Sequence, residues 1–489
     1  MSIKKTKLFL PTISIEVCLK LVALLVVVLM FFKSIIDVDR SYDTWVYHLP
    51  FAARIWGIVP AEIYGFEPHE EARFDGFPLL AEFFQGFFWL VLRRVQAANL
   101  ASYVSLIIYF GFLKVYFRVP LYLSAIALLA IPLVQTHATT CYVDLPGNLA
   151  LSALILMTYR LYAQPHYQKR DLLTLFIAAA SAANIKPQLV PLVFFVLCFT
   201  LPRIVWLQYQ HSPQPRAFFR WLRFLPIVSL AMLIVFATPI KNIVLLGNPF
   251  YPVRIELAGR VLNHQVGLYN ASPEALRDAP RPQRWVHSLL EINTPGWSVD
   301  QWNGNNPQLM NRMGGFFGAY VVFNVLLLGY LCVRDRSRST VTAVILVAIM
   351  STVASIFPQS HELRYFMYWM ISLVSLNLYL VTALEWSPKL WVVNPRTVGL
   401  VCTGMLAVVI ASTKSFYIRP YFFTLEKHIQ QHANRDILSQ IDEGDHVCLV
   451  GKQPYTFLYS AYFHPNKAPY SLKASGEAEG CGTRRVIQP

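Results

Sequence analysis

Charge is what this sequence has least of. Of its 489 residues only 14% are Asp, Glu, Lys or Arg, against 55% hydrophobic, and the mean hydropathy is +0.43. A soluble domain carries roughly a quarter charged residues. A chain with so few cannot coat its own surface with ions, so water is excluded as its main solvent and lipid takes that place. Acids are scarcer than bases, 27 against 42, for a net charge of +15. No basic run is interleaved with exposed aromatics in a soluble stretch, so nucleic acid is not expected as a partner. The basic excess fits Lys and Arg gathered in cytoplasmic loops beside anionic lipid.

Cysteine is also sparse, with seven residues and no C-x-x-C pair. A structural zinc site is therefore not expected. Cys18, Cys198, Cys332 and Cys402 lie in apolar runs and read as small core residues. Cys448 and Cys481 lie in the polar tail and are expected to form a disulfide if that tail sits in an oxidising compartment. The basic N-terminus is followed by an apolar run with no A-x-A-like site, which reads as a retained first helix, not a cleaved signal. No internal repeat of the transporter kind is visible.

Apolar runs are abundant. Eleven of roughly spanning length lie near residues 15–36, 97–116, 119–138, 145–163, 171–185, 189–205, 222–246, 314–333, 338–357, 365–384 and 396–412. A twelfth, FPLLAEFFQGFFWLVLRR at 77–94, decides the sidedness of everything after it. If 77–92 does not cross and the N-terminus is cytoplasmic, the short cytoplasmic loops and flanks collect fourteen basic residues against four on the other side. Crossing would invert that ratio and break the positive-inside rule. The segment is thus expected to lie along the outer interface, its aromatics in lipid and Glu82 and Gln85 forming a narrow polar face.

The expected architecture is a mainly α polytopic bundle of about eleven spans. Residues 1–412 form the membrane domain, with outer loops 37–96 and 247–313. Residues 413–489 form a small α/β appendage, built from a helix-like EKHIQQHANRDILSQI, the turn in DEGDHVCLVG and a short strand.

Chemistry gathers on the outer face. DVDRSYDTWVYHLP at 37–50 follows the first span directly. Asp37 and Asp39 read as hydrated flank residues. Asp43 opens an aromatic, amphipathic turn containing Tyr47 and His48 that should hold it in a partly desolvated cleft, where a carboxylate can act as a general base. Asp75 precedes the interfacial segment, Asp144 ends the third span, Lys186 ends the fifth, and His361, Glu362 and Arg364 lie between the ninth and tenth. Each alone is ordinarily a cap or a solvated flank, and Asp144 could simply cap the next helix. Together they put acids and cations from five segments on one side of a bundle otherwise nearly free of charge.

This ordered set resembles membrane glycosyltransferases of the C type (GT-C), the group of the protein O-mannosyltransferases and the aminoarabinose transferase that modifies lipid A. The resemblance covers roughly residues 15–250. Members carry a catalytic Asp just outside the first span, usually followed by Glu, with a Tyr four residues after the Asp; here Asp43 and Tyr47 keep that spacing and Thr44 replaces the Glu. Asp144 and Lys186 match a second Asp and a Lys at the ends of the third and fifth spans. An acid-Lys pair before the second interfacial helix is kept only as its acid, Asp75, and GNPFYPV at 247–253 resembles bacterial members.

The resemblance implies a hexosyl- or pentosyltransferase of the bacterial inner membrane, its N-terminus cytoplasmic and its C-terminal region periplasmic. The donor would be a sugar on a polyprenyl phosphate, the acceptor a lipid, glycan or protein. Asp43 would be the base of an inverting attack, with Asp144 beside it. Lys186 and Arg364, backed by Arg254 and His361, would hold the donor phosphate, and Tyr47, His48, Asp75 and Glu82 would contact substrate. No cofactor is expected. A divalent metal between Asp43 and Asp144 is an option, although two carboxylates are few ligands for magnesium or manganese. A lipid-linked glycan flippase or transporter is the alternative, but its charges should lie mid-membrane, not at helix ends. A polysaccharide polymerase or ligase would act on the same lipid class.

Overall fold

The computed structural model describes residues 14–164, 166–211, 225–267, 276–291, 315–383, 393–451, 455–467 and 469–488. Each of the eleven expected runs is mainly helical over its described residues. The first helix, α1 (Ile15–Ile36), starts where the Ser14 hydroxyl accepts the Val17 N–H and runs through a Leu/Val-rich stretch that is mostly exposed on its flanks. Then come α2 (Leu49–Ile55), α3 (Pro68–Gly76), α4 (Leu80–Leu92) and α5 (Leu100–Phe117). The third run is split into α6 (Leu121–Leu129) and α7 (Pro132–His137), because Pro132 has no N–H with which to continue the helix. The fourth to sixth runs are α8 (Asp144–Ala163), α9 (Lys169–Ile185) and α10 (Val190–His211). The seventh is a bent pair, α11 (Leu225–Val235) and α12 (Ala237–Leu246), crossing at 74°.

The loop after α12 contributes a two-residue hairpin, β2 (Glu256–Leu257) with β3 (Arg260–Val261), and α13 (Arg281–Leu290). Four further helices complete the bundle: α14 (Gly318–Arg334), α15 (Arg338–Ile356), α16 (Met367–Ala383) and α17 (Pro395–Ser412). Six of the described helices are long and apolar enough to cross a membrane, or seven if the bent pair is one span. The remaining runs (the split third, α8, α9 and α14) are broken, shorter or more polar. Burial is uneven: α1 is one-fifth buried and α16 more than four-fifths, so α16, packed against α8, forms the centre.

The segment α4 does not have spanning length. Thirteen residues rise only about 20 Å. Its apolar face points outward, as expected, but its polar face does not meet water. Glu82 and Gln85 are buried against protein, and Phe83, Phe84, Phe87 and Leu90 point outward. The Gln85 side chain donates to the Cys141 carbonyl at 2.6 Å, which accounts for the inward polar stripe.

The tail forms α18 (Leu425–His432), α19 (Arg435–Ser439), β4 (His446–Val450), β5 (Ser471–Ser475) and β6 (Arg485–Ile487). Its parallel sheet takes an edge strand from the first outer loop, β1 (Tyr64–Gly65), in the order β1-β5-β4-β6. Trp45, Phe51, Phe66 and Trp89 of that loop share one core with Phe457, Tyr459 and Leu472 of the tail. A boundary at residue 412 thus divides the chain but not this core. Cys448 and Cys481 are joined by a disulfide across it, with Cα atoms 5.6 Å apart. Of the four cysteines read as core, Cys402 is buried and Cys332 half-buried, whereas Cys18 and Cys198 face outward, as apolar residues can in a lipid-facing bundle.

Candidate active site

The stretch after α1 is not a hydrated flank. Asp37 is 5% exposed; its carboxylate accepts the backbone N–H groups of Tyr421 and Phe423 and pairs with Lys33 Nζ at 3.0 Å. Asp39 is 7% exposed and collects the Ser41 N–H and hydroxyl, the Thr44 hydroxyl and the Cys141 N–H. Buried carboxylates need such donors. Asp39 thereby ties the turn after α1 to the loop that leads into α8.

Asp43 follows and stays partly open. A π-helical turn over Thr44–His48 begins at once, and Trp45 donates its indole N–H to the Asp39 carbonyl at 2.6 Å. The Asp43 carboxylate lies 3.1 Å from Arg364 Nη1. Arg364 sits in a 3-10 turn, Leu363–Phe366, just before α16; its guanidinium also donates to the Tyr365 hydroxyl at 3.2 Å and is 3.7 Å from Glu362. Asp144, in the first turn of α8, pairs with Lys186, which caps the end of α9 and lies over the Tyr365 ring at 4.3 Å. Asn148 binds the two halves together. Its amide donates to the carbonyls of Asp144 and Arg364, at 2.8 and 3.1 Å, and its oxygen accepts the Tyr368 N–H.

Asp43, Asp144, Lys186 and Arg364 are thus one cluster, drawn from the ends of four helices. His137 and Tyr142 complete it: their rings are 5.0 Å apart and Tyr142 lies under Arg364. His137 is fully buried, and neither ring nitrogen has a hydrogen-bond partner among the described residues. It and Tyr142 escaped the sequence reading, although both lie in the stretch that ends in Asp144; a histidine closing an apolar run was the available signal.

The other predicted residues fall into two sets. Tyr47 is half-buried beside Asp43, with Arg73 over its ring at 5.6 Å; burial and the Asp43 charge push its phenol well above the usual range. His361 is buried next to Glu362, at 4.0 Å. His48 and Glu82 are not displayed to a substrate. They are a buried pair, 2.8 Å apart, fastening the π-helical turn to α4. Asp75 is exposed, and its carbonyl, not its carboxylate, accepts Lys241 of α12. Arg254 is exposed in the hairpin loop, its N–H bonded to the Val266 carbonyl, and nothing described brings it to the cluster. A pair of histidines one helical turn apart, His428 and His432 of α18, was also overlooked; their rings are 4.6 Å apart.

No protein-family model and no curated protein sequence matches the chain. Among solved structures, ArnT from Cupriavidus metallidurans in the apo state matches in fold, with a TM-score of 0.53 over 95% of this chain and 86% of that one, at 12% identity. The chain has a GT-C fold. ArnT from the same organism bound to undecaprenyl phosphate aligns with a TM-score of 0.35 at 13% identity, over 97% of this chain and 89% of that one. At these identities the likeness is one of fold. Within the GT-C frame the cluster lies where the first, fourth, fifth and tenth runs end on one side of the bundle.

Proposed function

We propose that the chain is an integral-membrane glycosyltransferase that moves a sugar from a polyprenyl-phosphate donor to an acceptor hydroxyl, with inversion, at the outer face of the bacterial inner membrane. The observation that carries this reading is the meeting of Asp43–Arg364 with Asp144–Lys186 at helix ends. Charge at helix ends suits an enzyme working at the interface; a transporter would line a path through the bundle. The lipid bound in one ArnT structure is of the donor class proposed here.

In this mechanism Asp43 takes the acceptor's proton as the hydroxyl oxygen attacks the anomeric carbon. The bond from that carbon to the phosphate oxygen breaks, and its electron pair leaves on the lipid phosphate. Lys186 and Arg364 stabilise the charge that develops there. Both cations already face carboxylates, so a metal between Asp43 and Asp144 is not part of the proposal: each acid has its counter-ion. An apolar cavity of about 330 Å³ is lined by α8, α10, α15 and α16, with Tyr162, Tyr159 and Tyr368 among its lining residues. It offers lipid chains an apolar path toward the site. Tyr47 is proposed to contact the sugar.

The test is transfer itself. Purified protein is given radiolabelled polyprenyl-phosphate sugars and extracted cell envelope. Label moving into a lipid, glycan or protein fraction supports the reading, and Arg364→Ala should abolish it. Label crossing the bilayer of a proteoliposome without covalent transfer would replace it with a flippase.

A further inference from the structure

A second cluster stands at the start of α3, outside the proposed catalytic group. Glu67, His69 and Glu70 each offer one ligand atom, and these atoms all lie within 4.8 Å of one another. His69 Nδ1 is 3.3 Å from Glu67 Oε2, and His69 Nε2 contacts Glu70 Oε1. Glu70 is 94% buried by its 6% exposure, and its Oε2 has no hydrogen-bond partner among the described residues. Arg73 is 3.9 Å from Glu70 Oε1 and is also drawn to the Tyr47 ring.

A buried carboxylate with an unfilled oxygen, beside a second carboxylate, is costly unless a cation arrives. His69 is about half exposed, which gives an ion access and leaves room for water ligands. The donor set decides the kind of ion. Two carboxylates and an imidazole suit a borderline first-row ion of the zinc class; calcium and magnesium prefer oxygen alone.

We propose that Glu67, His69 and Glu70 form a divalent transition-metal site, zinc-like in preference, at the start of α3. The site adjoins the C-terminal sheet. Glu67 lies just past β1, the strand that pairs with β5. Its Oε2 is 3.8 Å from where a Cβ on Gly476 would stand, at the end of that sheet. The cluster also reaches the catalytic side. Burial, Asp43 and then Glu70 and Glu67 raise the Tyr42 phenol above its usual range. A bound cation would offset the carboxylate part of that field next to Asp43.

The experiment uses the full chain in detergent, stripped with EDTA and titrated with zinc chloride alone. Binding is read by competition with a chromophoric chelator and by thermal unfolding. One equivalent should bind with a Kd at or below about 1 µM, and the melting temperature should rise with zinc. Glu70→Gln should weaken binding at least tenfold. Because a buried change can unfold the chain, His69→Asn at the half-exposed position is the second variant; it should lower affinity tenfold or more while the metal-free melting temperature stays put. His432→Asn should leave binding unchanged. The site is overturned if no stoichiometric zinc binds, or if binding survives His69→Asn and is lost with His432→Asn.

Discussion

Asp37, at the end of α1, accepts hydrogen bonds from the backbone N–H groups of Tyr421 and Phe423, 384 and 386 residues further on. The first helix and the start of the tail are therefore held by one buried carboxylate. Bonds to a charged group contribute about 1.5–3 kcal/mol each, and breaking a buried set leaves donors unfilled. Asp37→Ala should cost roughly 3 kcal/mol of stability, read as a lower melting temperature in detergent. Wild-type melting would show that the tail is held by its apolar core alone.

Asp43→Asn keeps the shape of the side chain but cannot take up a proton from the acceptor. General-base catalysis contributes about 10²–10⁴-fold, so transfer should fall by that factor while the melting temperature changes little. Asp39→Asn should do the reverse in part, lowering stability as well as rate, because it removes an acceptor shared by Ser41, Thr44 and Cys141. A rate near wild type in Asp43→Asn would remove Asp43 from the mechanism.

Acid should loosen the core shared by the first loop and the tail through His428. Burial, then His432 and Arg40, push its folded pKa from 6.5 down to about 3. The unfolded chain binds that proton near 6.5, so the contribution is complete above that pH and is lost as pH falls from about 6.5 towards about 3. His428 lies on the Trp45 ring at 4.7 Å, and neither of its own ring nitrogens has a hydrogen-bond partner among the described residues. His428→Phe should keep stability at pH 7 and flatten the loss between pH 6 and 4, followed by Trp fluorescence during unfolding. An unchanged slope would assign the acid sensitivity elsewhere.

Reduction should weaken the same region. The Cys448–Cys481 bridge spans 33 residues. A loop of that size contributes about 3–4 kcal/mol in the chain-entropy view. Cys448→Ser, or dithiothreitol, should lower the unfolding temperature of the tail and raise its susceptibility to protease while leaving the helices of the bundle intact.

Sidedness has a direct check. A cysteine replacing Lys114, exposed near the end of α5, should react with an impermeant maleimide only after the cells are permeabilised. Reaction in intact cells would overturn the eleven-span topology.

Much of the bundle was legible because lipid-facing helices need long apolar runs, and runs show in sequence; α1 and α17 end within a residue of their expected limits. The cluster was legible in part. Asp43, Asp144, Lys186 and Arg364 are rare charges at run ends, so their place follows from the runs. Their pairing does not: nothing local says that Asp43 meets Arg364, 321 positions away. Asp37, Asp39, His48 and Glu82 misled for the same reason. A carboxylate beside a span looks hydrated until the partners that bury it, Tyr421 or Cys141, arrive from distant chain. The inward stripe of α4 shows the matching ambiguity, since an amphipathic pattern gives the two faces but not which one meets protein.

The edge strand contributed by Tyr64 and Gly65 sets an order of events. Its partner, Leu472 and Lys473, is made some four hundred residues later. Throughout synthesis the loop carrying Asp43 and its neighbours must wait beside the membrane without its sheet, with an open strand edge and a half-built apolar core. Such distant pairings form late. The loop around Asp43 would thus take its final form last, only after the ribosome has delivered the tail.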